Sequence, residues 1–333
     1  MKNWRLAIWI ADQARNDNAG ARNDNARARN DSPVCHCGPD PQSTVSSKLL
    51  LLATIAILST GAAQALQVID DRGVVVQFSQ TPQRIVSLLP SLSESVCELG
   101  QCQRLVGVDR YSNWPVSLTK LPQVGGGLDP NIEAIVALKP DVVLMATSSR
   151  AAERLQSLGI KVVALEPKSH ADVQRVLIKV GQVLDIPEEV GAQRVWRFID
   201  AGVSAAAQSL PAKAKGTRVY FEVNSAPYAA GEASFIGETL TRLGVKNIVP
   251  KSLGSFPKIN PEFVVRANPD VIMVGLRNSA GMELRPGWAG MRALREKRLC
   301  VFSIEDSDVL VRPGPRMAEA ARIMALCLQS KAP

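Results

Sequence analysis

From Arg84 onward, short apolar runs alternate with segments whose apolar residues recur every three or four positions. The runs Arg84–Leu89, Val142–Met145, Lys161–Leu165, Arg218–Val223, Val271–Val274 and Leu299–Ile304 read as buried strands. Continuous apolar runs of this length suit a parallel sheet covered on both faces. Between them, Glu94–Gly100 and Glu238–Gly244 read as helices that end in a glycine, the usual left-handed cap. One stretch stands apart. From Pro187 to Leu210, Trp196, Ile199, Val203, Ala206 and Leu210 fall on one helical face. Glu188 and Glu189 near its start complement the helix dipole.

The pattern is written twice. Asn131–Leu144 and Asn260–Met273 share six of fourteen positions without a gap, among them Asn131/Asn260, Glu133/Glu262 and the Pro-Asp pairs at 140–141 and 269–270. Each copy reads as a short helix, a Pro-Asp break and a strand. Strand, helix, helix, strand, helix, strand therefore occurs twice, which predicts an α/β protein of two similar lobes. Each lobe carries a short, mostly parallel sheet flanked by helices, and one long helix joins the two. The expected organisation is a low-complexity leader over 1–46 and a signal peptide over 47–65. An N-terminal lobe over 66–186, a linking helix over 187–210 and a C-terminal lobe over 211–333 follow.

The N-terminus sets the compartment. Lys48 precedes the unbroken apolar or small run Leu49–Leu58, and Ala63-Gln64-Ala65 follows as a cleavage site. This is the pattern of a secretory signal peptide, too short to span a membrane with ease. It predicts cleavage after Ala65 and a periplasmic product. No Cys follows that site, which argues against a lipid anchor. Upstream, Ala14–Ala19 recurs as Ala21–Ala26, a polar tract unable to build a core. It reads either as a start placed too early, with Val45 the alternative, or as a disordered extension.

Composition narrows the function classes. Hydrophobic content of 46% with 21% charged residues describes a globular chain. The formal charge of +8 is spread without a dense basic run, so nucleic acid is not the expected partner. Beyond the leader a single histidine remains, His170, read as a solvated loop residue. One histidine excludes a multi-histidine metal site. No nucleophile elbow and no phosphate-cradling loop occurs, and Gly125–Gly127 lacks the lysine of the latter. No catalytic residue, resident metal or cofactor of its own is expected. Four cysteines follow the cleavage site: Cys97, Cys102, Cys300 and Cys327. Three pairings are open, and Cys97–Cys102 with Cys300–Cys327 is one of them.

Candidate binding residues lie at strand ends, where α/β sheets take ligands. They are Tyr111 and Trp114 after Leu105–Val108, Tyr228 after the second lobe's first strand, and Phe256 ahead of the second repeat helix. Together they suggest an apolar ligand face. Asp308 and Arg312, on the loop after the last strand, are the polar candidates. Glu133 and Glu262, equivalent in the two copies, are candidates for docking a dimeric partner.

The segments Arg84–Glu94, Gly107–Pro115, Asn131–Asp141 and Arg312–Arg316 together resemble the periplasmic solute-binding proteins for cobalamin and iron chelates. The likeness covers roughly 66–330. It implies two α/β lobes on one long helix and capture of a cobalt- or iron-containing chelate. Delivery to an ABC permease dimer in the inner membrane by a monomeric carrier is also implied. By resemblance, Glu133 and Glu262 match the family's docking carboxylates, which meet permease arginines. Tyr111, Asp308 and Arg312 look like ligand contacts of the vitamin B12-binding member. That member carries tryptophans at Gly125–Gly127 and near Phe256, so this cleft is expected to be roomier on one wall. Arg110, Arg277, Arg285 and Arg312 are available for an anionic siderophore. The alternative class is an enzyme on the same scaffold, a chelatase or a metallocluster-associated protein. It requires a general base or free cysteines.

Overall fold

A computed structural model describes residues 66–225 and 227–333. The expected leader and signal peptide, over 1–65, lie outside the described residues. The chain opens with an antiparallel hairpin of β1 (Leu66–Ile69) and β2 (Val75–Phe78). The first lobe continues through β3 (Ile85–Ser87), α1 (Pro90–Glu98), β4 (Leu105–Val108) and α2 (Ile132–Ala137). It ends with β5 (Val142–Met145), α3 (Ala152–Ser157), β6 (Val162–Ala164) and α4 (His170–Val183). Its sheet is fully parallel in the order β4-β3-β5-β6. Helix α5 (Ala192–Gln208) leads to the second lobe.

The second lobe begins with β7 (Arg218–Asn224), β8 (Tyr228–Ala229), α6 (Phe235–Arg242), β9 (Lys246–Asn247) and α7 (Pro261–Ala267). Then come β10 (Val271–Gly275), α8 (Leu276–Ser279), α9 (Arg292–Arg295), β11 (Leu299–Phe302), α10 (Ile304–Leu310) and α11 (Met317–Lys331). Strand order is β11-β10-β7-β8, with β9 also on β7, and only β8 runs antiparallel.

Two of the identities between the repeats, the asparagines and the aspartates, cap the helix and tie the joint that follows it. Asn131 and Asn260 cap α2 and α7, accepting the N–H groups of Ala134 and Glu262 at 2.9 Å. Asp141 takes the N–H groups of Gln83 and Arg84 at 2.8 Å, and Asp270 takes that of Arg218 at 3.0 Å. Each aspartate so ties its own strand to the first sheet strand of its lobe. Arg84 and Arg218 return the favour by donating to carbonyls at the ends of α2 and α7.

Helix α5 buries Ala192, Val195, Ile199, Val203 and Ala206 in a core shared with α4 and α11. It is shorter than the expected Pro187–Leu210. Pro187–Gly191 is a turn in which Gln193 N–H reaches Glu188 O, one residue beyond helical spacing, and Gly191 has non-helical dihedrals. At Gly202 the helix nearly touches α11: a Cβ there would lie 2.5 Å from that of Ala318. Glycine is what lets the two backbones approach.

Two disulfides are present, Cys97–Cys102 and Cys300–Cys327. The second ties β11 to α11 across 27 residues, the first closes a turn of five. Loop-closure entropy then predicts unequal contributions, about 3–4 kcal/mol for the long bridge and about 2 kcal/mol for the short one. Urea titration of Cys300→Ala/Cys327→Ala and of Cys97→Ala/Cys102→Ala should rank them in that order; the reverse ranking refutes the entropic account.

Candidate ligand cleft and lobe junction

The C-terminal ends of β3 and β4 carry the first lobe's side of the junction. Asp109, buried just past β4, accepts the Tyr111 N–H at 3.0 Å and the Ser112 hydroxyl. Ser112 continues through Ser93 to Ser87, each contact 2.9 Å. This hydroxyl chain pins the loop that presents Tyr111, Asn113 and Trp114. Burial raises the Asp109 carboxyl to about 6, opposed by the hydrogen bonds from Ser112 and Tyr111 and the charges of Arg312 and Arg110. Beside it, Arg110 clamps Asp129 at 2.8 Å across the triple-glycine turn. A Cβ on Gly126 would lie 2.6 Å from Asp129 Oδ1, and one on Gly127 2.9 Å from Leu88 O. This turn is bare backbone by steric necessity, with no bulky side chain to narrow it.

The facing side of the junction comes from the end of the second lobe. Asp308 sits on α10, a helix where a loop was expected. The Ser303 side chain caps this helix, and Glu305 and Asp306 lie in its first turn. Arg312 was expected to contact ligand, yet it is only 3% exposed. Its guanidinium donates to Glu94 and Asn113 at 2.8 Å and to the Tyr111 carbonyl at 3.0 Å, and pairs with Asp308 at 2.9 Å. Asn113 also donates to Asp308 at 3.0 Å. Arg312 thus joins the two lobes. Glu94, itself 1% exposed, is pushed up by burial against the pull of Arg312. Sequence reasoning missed Glu94 and Asn113, whose partner lies some 200 residues away.

The aromatic candidates separate. Tyr111 stays at the cleft loop and Tyr228 on β8, both half-buried. Phe256 is a correction: it is 3% exposed and packs on Phe235 in the core, ring centroids 5.9 Å apart. Its neighbours in sequence bridge to Gly231 and Ala229, which draws the side chain inward. Trp114 turns instead toward the helices, where the Arg316 guanidinium lies 4.9 Å from its ring centre. There it lines a groove of about 680 Å³ with Phe198, Gly202 and Ala205 of α5. The arginines are committed as well: Arg285 grips Glu222 at 2.6 and 2.8 Å, and Arg110 holds Asp129.

Glu133 and Glu262 are both exposed, each the second residue of its helix after the capping asparagine. Neither carboxylate meets a cation among the described residues.

His170 is a second correction. Read as solvated, it is 8% exposed and wedged between the lobes at the start of α4. Its Nε2 lies 2.9 Å from Thr239 Oγ1 and 3.2 Å from the Phe235 carbonyl, and its backbone N–H donates to Glu238 at 2.6 Å. Thr239 donates to that same carbonyl, so Nε2 carries the proton and Thr239 accepts it. Burial first, then the Arg242 charge, lower the ring to about 4. The unfolded chain takes up this proton near pH 6.5 and the folded chain only near 4. Stability is therefore full above 6.5 and falls as pH drops toward 4, by about 3 kcal/mol at about 1.4 kcal/mol per unit. Asp109, raised rather than lowered, acts in the opposite sense below pH 6. The check is a comparison with His170→Gln: the wild-type advantage should shrink from pH 7 to 4, and a constant difference refutes the assignment.

Comparison with known proteins places this geometry. The family model described as periplasmic binding protein matches residues 85–303. A vitamin B12-binding protein of Pectobacterium carotovorum is 26% identical over 262 residues, 76% of this chain and 90% of that protein. An uncharacterised ABC transporter substrate-binding lipoprotein of Bacillus subtilis is 29% identical over 266 residues, covering 75% and 81%. The crystal structure of a periplasmic haem-binding protein from Pseudomonas aeruginosa superposes with a TM-score of 0.62 at 26% identity, covering 76% and 94%. With the matched model spanning most of both lobes, the chain belongs to the periplasmic binding protein family.

Proposed function

We propose that this chain is the periplasmic capture component of an ABC importer and that its cargo is a metal chelate. Cobalamin is the leading candidate, with haem or a ferric siderophore next. The observation that carries this reading is the junction of two repeated lobes, where Arg312 and Asp308 of the second meet Asn113 and the Tyr111 carbonyl of the first. The relatives named for vitamin B12 and haem support it. Tyr111 and Tyr228 cover the cargo's apolar face, Asp308 offers a carboxylate to its polar edge, and the bare Gly126–Gly127 turn leaves room for its bulk. The cobalt or iron belongs to the cargo, and the carrier needs no cofactor of its own.

Glu133 and Glu262 then serve as the two-point contact with the permease dimer, one carboxylate per lobe. The mature carrier begins at Leu66 and works as a monomer. The test is titration of the mature chain with cyanocobalamin, haem and ferric siderophores, followed by tryptophan fluorescence. Saturable tight binding to one of them names the cargo; a folded protein that answers none of them overturns the chelate reading.

A further inference from the structure

The contacts that bridge the lobes repeat as the lobes do. Glu94 in α1 and Glu238 in α6 occupy matching places, each six residues before a glycine at positive φ, 80° at Gly100 and 79° at Gly244. Both glutamates reach into the other lobe. Glu94 takes Arg312, which follows the last strand of the second lobe. Glu238 takes the N–H of His170, which follows the last strand of the first lobe.

Each bridge has supporting contacts of the same kind. Beside Glu94, Gly314 lies against Ser91, where a Cβ would come within 3.2 Å of the Ser91 Cβ. Beside Glu238, Phe235 N–H donates to Lys168 O at 2.8 Å, and Thr239 meets the His170 ring. The two differ in chemistry. The first is a buried ion pair, the second a carboxylate on a backbone N–H next to a neutral imidazole.

We propose that Glu94 and Glu238 are positioning residues of the cleft. Each lobe's first helix gives one glutamate to the segment that follows the other lobe's last strand, and the two clasps together fix the separation of the lobes. Two contacts are required because a single bridge beside a single helix leaves the lobes free to rock about it. The purpose assigned to the clasps, a preformed chelate cleft, rests on the capture reading; their existence and its test do not.

The experiment measures lobe separation without any ligand. Spin labels at Glu153→Cys in the first lobe and Lys251→Cys in the second, both exposed, report distance by double electron–electron resonance on the purified chain. The unmodified clasps should give one narrow distribution. Glu94→Gln and Glu238→Ala should each add a longer-distance population. The pair Glu94→Leu/Arg312→Met, which keeps buried volume while removing both charges, guards against a variant that fails to fold and should do the same. Glu222→Leu/Arg285→Met removes a buried ion pair within one lobe and should leave the distribution unchanged. Clasp variants that fold and superimpose on the parent overturn the proposal, as does equal broadening in the Glu222/Arg285 control.

Discussion

Reversing both exposed glutamates, Glu133→Lys with Glu262→Lys, should abolish delivery of cargo into cells and leave cargo affinity unchanged. The two residues sit at the same register in the repeats, outside both cores, and meet no cation among the described residues. Reversal therefore breaks no internal contact. It does place a lysine in the first turn of a short helix, which costs about 0.3–1 kcal/mol at each site. That is small against the roughly 5–15 kcal/mol of a typical domain. At the permease, by contrast, attraction becomes repulsion at two points at once, and like charges across an interface suppress association strongly. Whole-cell uptake beside an equilibrium titration separates the two effects. Undiminished uptake by the double variant sinks the docking assignment, and lost affinity places these residues in the cleft instead.

Arg312→Ala should destabilise the chain by about 3–5 kcal/mol, because it strands a buried carboxylate without its cation. Glu94 is the stranded group, and Asn113 and the Tyr111 carbonyl lose a donor in the same step. Replacing both partners by apolar residues of similar volume, Glu94→Leu/Arg312→Met, should recover most of the loss, since the desolvation penalty of both charges disappears with them. Urea denaturation of the two variants beside the parent tests this. Equal losses in the two would show that the hydrogen bonds to Asn113 and Tyr111, and not the stranded charge, hold the junction.

The architecture was legible because the repeat exposes it. Asn131 and Asn260, with Asp141 and Asp270, are identical for local reasons: each caps or ties the joint beside it, so a short window contains the physics. The candidate site was legible only in part. Tyr111 and Asp308 are linked through Arg312, which donates to the Tyr111 carbonyl and pairs with Asp308. Phe256, His170 and Arg312 were misplaced because their surroundings come from the other lobe or from a distant strand. Nothing within ten residues of Arg312 announces that Glu94 will take it. A lone histidine after a proline-containing stretch reads as solvent-exposed until the second lobe closes over it. The start of α5 failed for a smaller reason, a turn at Gly191 that the apolar spacing does not register.

The Cys300–Cys327 bridge divides the life of this chain into two periods. On the proposed export route the precursor first stands in a reducing compartment, where structural disulfides do not persist. During that time the molecule lacks the contribution assigned to the bridge. It is weakest while it must still be threaded across a membrane unfolded. Once outside, oxidation fastens the last helix against the strand that precedes the Arg312 loop. The lock closes only after the journey that it would have obstructed.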